Sequence, residues 1–267
     1  MSNPVLTSLS IILYMAASLL QTFDLKNTKP HFKLWILFLT VIALGVHAEL
    51  LHHSIDLGIG QNLSFGNMLS LLIWVMVLLT LVWSFFRPVE ALLWLLLPLA
   101  AISTLMAQIF QGHFIIDADN PVILTHIILG VLSFGILCMA GVQALLWIVL
   151  EHILRSRSGM GFHMRKLPPM ETLEHLLFQT VRVGFALLTL VLLSSAYYYH
   201  SAIFEQSSMM QKSILAFMGW LIFAILLWGR WRWGWRGKRA IGGTLFGIIL
   251  LITAYLGFKF LWNTYSI

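Results

Sequence analysis

Imidazole is the side chain in this sequence best placed to do chemistry. The stretch 121–150, PVILTHIILGVLSFGILCMAGVQALLWIVL, carries no charged residue, yet His126 stands five residues after its start. An unpaired polar group in hydrocarbon costs several kcal/mol, so a histidine there needs a partner. That partner is either a polar group on a neighbouring helix or a metal centre. His47 poses the same question inside the apolar run 33–53. Its one acidic neighbour, Glu49, is two residues away and therefore on another face of the helix. The sequence holds no HxxxH or CxxC pattern of the kind that marks a zinc enzyme. Its single cysteine, Cys138, reads as a buried structural residue, and thiol–disulfide chemistry is not expected.

The elements that position these histidines follow from hydropathy. Of the 267 residues, 60% are hydrophobic and 10% charged, with mean hydropathy +0.90. A soluble domain of this length carries roughly 25% charged residues. The chain is therefore an all-α, polytopic membrane helix bundle. It reads as one domain over 1–267, because no polar stretch is long enough to form a core of its own. Eight spans are predicted, at about 4–22, 33–53, 67–86, 90–110, 121–150, 177–199, 213–229 and 240–262. Each reaches roughly the 17–25 residues that cross hydrocarbon. The first run lacks a basic leader and a small-residue cleavage site, and is expected to be a retained helix. Pro98 falls within the fourth span, METLEHLL (170–177) reads as a short helix before the sixth, and no internal repeat is visible.

Orientation follows from the basic residues. Lys26, Lys29, Lys33, Arg87, Arg155, Arg157, Arg165, Lys166, Arg230, Arg232, Arg236, Lys238 and Arg239 all fall in the odd-numbered loops. That is thirteen of sixteen, so those loops are cytoplasmic and both termini lie outside. The net charge of +6 is explained by this asymmetry, and no nucleic-acid partner is expected. WGRWRWGWRGKR (228–239) reads as an interfacial belt against the lipid headgroups.

With this topology six of the ten histidines, His47, His52, His53, His113, His126 and His200, fall at or near the outer face. His126 is about 8 Å below Pro121 and His47 about 9 Å below the outer end of its span, so the two are expected at one level. Paired imidazoles from facing helices are a common way for a bundle to hold haem iron or another metal. Lys212 and Lys259 are the outer cations that could pair haem propionates. The competing reading is packing: interhelical hydrogen bonds for His47 and His126, ordinary helix-end histidines for His52, His53 and His113, and snorkelling for the lysines. The outer loop GIGQNLSFGN (58–67) is expected to fold back on the helix ends.

Span six, TVRVGFALLTLVLLSS (180–195), resembles the R-x-G-F-x-x-L-T segment of the cytochrome c assembly family, the haem-handling CcsA/CcmC type. The match runs through Arg182, Gly184, Phe185, Leu188 and Thr189. The stretch opening on His126 is similar to that family's helix with an outer haem-ligand histidine, and 219–257 is similar to its two closing helices. With GQNLS (60–64), the resemblance is to the YpjD-like, HemX-related branch and covers nearly the whole chain. It implies haem as cofactor, His126 as an axial ligand, an inner (plasma) membrane location and other cytochrome c assembly proteins as partners. Three family features are not matched. The Trp-rich WGxxWxWDPKE segment has HSAIFEQSSMMQK (200–212) in its place, with only Lys212 in common. Trp228 stands where a histidine is expected, and an outer histidine after the last helix has no counterpart.

The functional expectation is a haem-binding or haem-handling membrane protein of cytochrome c assembly or haem homeostasis, not itself an enzyme. His126 would bind iron, with His47 or His200 opposite. The rival expectation is a small ion or solute transporter, or an accessory to one, with proton- or metal-linked histidines. The blander third option is a scaffold whose histidines only pack helices.

Overall fold

The computed structural model describes residues 3–26, 32–58, 60–86, 89–112, 114–116, 121–155, 169–198 and 207–257. Eight helices in this set are long and apolar enough to cross a membrane. They are α1 (Pro4–Lys26), α2 (Lys33–Ile55), α3 (Phe65–Ser84), α4 (Leu93–Ile109, entered by a 3-10 turn at Glu90–Leu92), α5 (Pro121–Arg155), α6 (Met170–Tyr198), α7 (Ser207–Trp233) and α8 (Lys238–Ile252, continued by a π turn at Thr253–Gly257). The only strands in this set are the two-residue β1 (Gln61–Asn62) and β2 (Ile115–Ile116), paired antiparallel.

Hydropathy found the spans but not all their ends. METLEHLL and span six form one continuous α6, because no proline interrupts the run from Met170 to Tyr198. Helix α5 runs past the apolar stretch to Arg155, where Arg155 pairs with Glu151 one turn back at 2.7 Å. Helix α7 begins six residues before the predicted apolar edge. Residues 258–262 of the predicted eighth span, and Lys259 with them, lie outside the described residues.

The chain forms two compact units, Met1–Asp117 with Leu150–Pro169, and Ala118–Val149 with Met170–Ile267. In the first unit α1 packs on α2 and α4, and α3 packs on the same two helices, which closes a four-helix ring. Helix α1 shows what a lipid solvent does to amphipathicity. Val5, Leu9, Ile12, Leu19 and Phe23 face outward, while Thr7, Ser10, Tyr14, Ser18 and Gln21 are buried. Hydrocarbon outside cannot satisfy a hydroxyl or an amide, so the polar row turns inward, where other helices can. Gln108 of α4 donates to the Thr7 hydroxyl at 2.9 Å, and Gln21 to the Glu90 carbonyl at 3.2 Å.

The outer loop folds back as its composition predicts. Asn62 donates to the Gly112 carbonyl at 3.0 Å and accepts from the Ser64 and Phe114 amides. Asn67 donates to the carbonyls of Ser54 and Asn62. Gly66 is required where α3 meets α4, since a Cβ there would lie 2.8 Å from the Phe110 carbonyl oxygen.

In the second unit glycines let the helices approach. A Cβ on Gly184 of α6 would meet Leu137 of α5 at 2.7 Å, and one on Gly247 of α8 would meet Phe223 of α7 at 2.9 Å. Toward the cytoplasm, Glu174 of α6 holds the α7–α8 connection. It accepts from Arg230 at 2.7 Å and from the Gly237 amide at 3.1 Å, and Arg230 also donates to the Trp235 carbonyl. Gly237 has φ +56°, a conformation other residues rarely adopt, and stands just before α8. Glu174→Ala leaves a largely buried guanidinium without its carboxylate. It is expected to destabilise the protein by roughly 1–3 kcal/mol, read as a lower unfolding temperature in detergent. Glu174→Gln should recover part of that loss, because the amide oxygen still accepts from Arg230.

Candidate functional site

His126 is the sixth residue of α5, half-buried near the outer side of the second unit. Its Nδ1 lies 2.8 Å from the Ser194 hydroxyl on α6. The same hydroxyl lies 2.9 Å from the Val191 carbonyl, three residues earlier on the same helix. A hydrogen bond to one ring nitrogen is the usual way a ligating histidine is held in one orientation.

The surroundings of this imidazole are largely apolar. Leu190 and Tyr197 lie one turn to either side of Ser194 on α6, and both are exposed, at 50% and 76%. On α5 the next turn is Gly130, beside the hydroxyl of Tyr255, whose ring stacks on Phe134 with centroids 4.9 Å apart. Tyr255 sits in the π turn, an irregularity that widens a helix locally and recurs at functional sites. His126 is thus half-buried, with exposed apolar side chains one turn to either side of its serine partner.

His47 is held differently. It is fully buried in the first unit, with Nδ1 3.0 Å from the Tyr14 hydroxyl and Nε2 2.8 Å from the Ser70 hydroxyl. Tyr14 is also fully buried and meets the imidazole edge-on. Both ring nitrogens are thus engaged by α1 and α3, and coordination of iron by His47 would require one of these bonds to be given up. His47 and His126 belong to different units.

The other candidates are simpler. His53 pairs with Glu49 at 3.1 Å and His52 lies 3.9 Å from Asp56, all on exposed turns of α2, where such pairs contribute little. Lys212 is half-buried in the second turn of α7. His200 and His113 lie outside the described residues. Among the described residues no three His, Cys, Asp or Glu side chains gather as a metal-holding group. Sequence reasoning missed Tyr14, Ser70 and Ser194. The signal for Tyr14 was there: Thr7, Ser10, Tyr14, Ser18 and Gln21 repeat at three- and four-residue intervals through a mostly apolar helix.

Comparison with known proteins gives the same direction. The family described as Cytochrome C assembly protein matches residues 35–265. The inner membrane protein YpjD of Escherichia coli (strain K12) is 30% identical over 262 residues, covering 95% of this chain and 96% of that protein. The cytochrome c biogenesis protein CcsA of Prochlorococcus marinus (strain SARG) is 36% identical over 91 residues, covering 34% of this chain and 29% of that protein. CcsA of Heterosigma akashiwo (strain NIES-293) is 37% identical over 90 residues, covering 34% of this chain and 28% of that protein. No solved structure matches the chain.

Proposed function

The chain belongs to the cytochrome c assembly protein family, as a multi-pass inner membrane protein, and on that premise we propose that it binds haem at its outer side through His126. The carrying observation is the position of His126, half-buried in α5 near the outer side with its Nδ1 held by the Ser194 hydroxyl. Bound haem supplies an iron whose axial positions take imidazole nitrogens. This chain's own residues fix the imidazole through Ser194, give the macrocycle an apolar face at Leu190 and Tyr197, and offer Lys212 to a propionate. His200 is the better partner ligand than His47, because both nitrogens of His47 are already hydrogen-bonded. The role is to receive, hold or pass haem alongside other cytochrome c assembly proteins. Attachment of haem to an apocytochrome is not part of it, since the Trp-rich segment of the haem-presenting members is replaced here by 200–212. The two units act together as one domain, in keeping with a family match that runs through both.

The test is the absorption spectrum of the protein purified in mild detergent, with and without added haem. A Soret band that saturates at one haem per chain supports the proposal, and no uptake overturns it. One observation favours the transporter reading. Tyr14, His47 and Ser70 form a buried hydrogen-bonded row, and the Ser10 hydroxyl, one turn before Tyr14, is buried with no partner among the described residues. Proton or solute flux in proteoliposomes that is lost in Tyr14→Phe, with no haem signal, would establish that reading instead.

A further inference from the structure

Arg182 is a charged side chain placed inside a membrane span and exposed on its surface. Helix α6 is 29 residues long, about 43 Å, against a hydrocarbon core of about 30 Å. Counting inward from the tyrosines at its outer end, Arg182 lies about 8 Å within the cytoplasmic edge of the core. A guanidinium at that depth needs an anion or a route to the headgroups. Its side chain turns toward the cytoplasm, since Nε donates to the Phe178 carbonyl one turn back at 3.2 Å. That leaves the two terminal nitrogens with no partner among the described residues.

The Arg230 guanidinium comes to the same residue, 4.6 Å from the centre of the Phe178 ring. Two like charges gathered at one phenylalanine repel unless anions accompany them. Arg230 has Glu174, whereas Arg182 makes no ion pair with a carboxylate among the described residues. Between α6 and α7 lies a groove of about 360 Å³, walled by His175, Phe178, Arg182, Leu227, Arg230 and Trp231. Its polar end faces the cytoplasmic interface, where Trp231 is 77% exposed.

We infer that this groove binds an anionic phospholipid of the cytoplasmic leaflet. The terminal nitrogens of Arg182 hold the phosphate, and Leu227 and Trp231 receive the first part of an acyl chain. Charge and position both select this occupant. The Arg182 side chain reaches from inside the core toward the headgroups, it carries an uncompensated fork suited to phosphate oxygens, and the surrounding solvent is itself lipid. The inference is independent of haem binding and concerns the opposite side of the membrane.

Native mass spectrometry of the purified protein with added phosphatidylglycerol or phosphatidylcholine tests it. Wild type is expected to retain phosphatidylglycerol preferentially. Arg182→Gln should lower that retention about fivefold, the effect of one basic contact near the surface, and leave phosphatidylcholine binding unchanged. Arg155→Gln removes an exposed cytoplasmic charge that does not line the groove and should change neither. Equal retention of both lipids by wild type, or an equal fall in the two variants, overturns the assignment. A second readout keeps Arg182 intact. Brominated phosphatidylglycerol should quench Trp231, read as wild type minus Trp231→Phe, more strongly than brominated phosphatidylcholine. Equal quenching by the two lipids again overturns it.

Discussion

His126→Ala is expected to abolish haem uptake by the purified protein: the Soret band expected on adding haem to wild type should be absent, while the helical circular dichroism is kept. The alanine removes the imidazole proposed to bind iron. Its half-exposed position means that little packing is lost. Ser194→Ala tests the same geometry more finely. Without the hydroxyl bonded to Nδ1, the ring loses that support. Haem affinity should fall roughly tenfold, the lower end of what removal of such a supporting partner costs. A wild-type haem titration for Ser194→Ala would show that the hydrogen bond does not orient a ligand. Full uptake by His126→Ala would sink the site itself.

The second large effect is on stability. His47→Ala is expected to lower the unfolding free energy by roughly 2–4 kcal/mol in a denaturing-detergent titration, because two buried hydroxyls lose their partner and a cavity opens. The lower half of that range is favoured, since hydrogen bonds inside membranes have measured nearer 1 kcal/mol each, the unfolded helices finding other partners in lipid (~0.6 on average). Tyr14→Phe should cost about 1 kcal/mol or less, as the ring still packs edge-on against the imidazole. The pair also separates packing from ligation. If His47→Ala loses haem while its unfolding midpoint equals that of wild type, His47 is a ligand. If stability falls and haem uptake survives, it is a structural hydrogen-bonding residue.

Much of the fold was legible because hydrocarbon imposes so few choices. A span must be helical and mostly apolar, so hydropathy alone located eight helices, and the basic loops oriented them. Ends were harder. Helix α6 begins at Met170 because a polar amphipathic turn and an apolar span can share one uninterrupted helix, and hydropathy registers only the second part. The apolar run likewise marked where α5 enters the membrane but not that it continues to Arg155.

Of the candidate site, the sequence by itself determined that His47 and His126 lie within apolar spans and near the outer side, and that each needs a partner. It also determined the family, through the order of weak motifs along the whole chain. Only the tertiary structure decided what the partners are. His47 and His126 look alike in sequence because both are single imidazoles about 8–9 Å below a helix end. They differ because hydrogen bonds depend on which residues face one another from helices far apart in the chain. Tyr14 is 33 residues from His47, Ser70 is 23, and Ser194 is 68 from His126. Two hydroxyls close both nitrogens of His47. The Ser194 hydroxyl holds His126 at Nδ1.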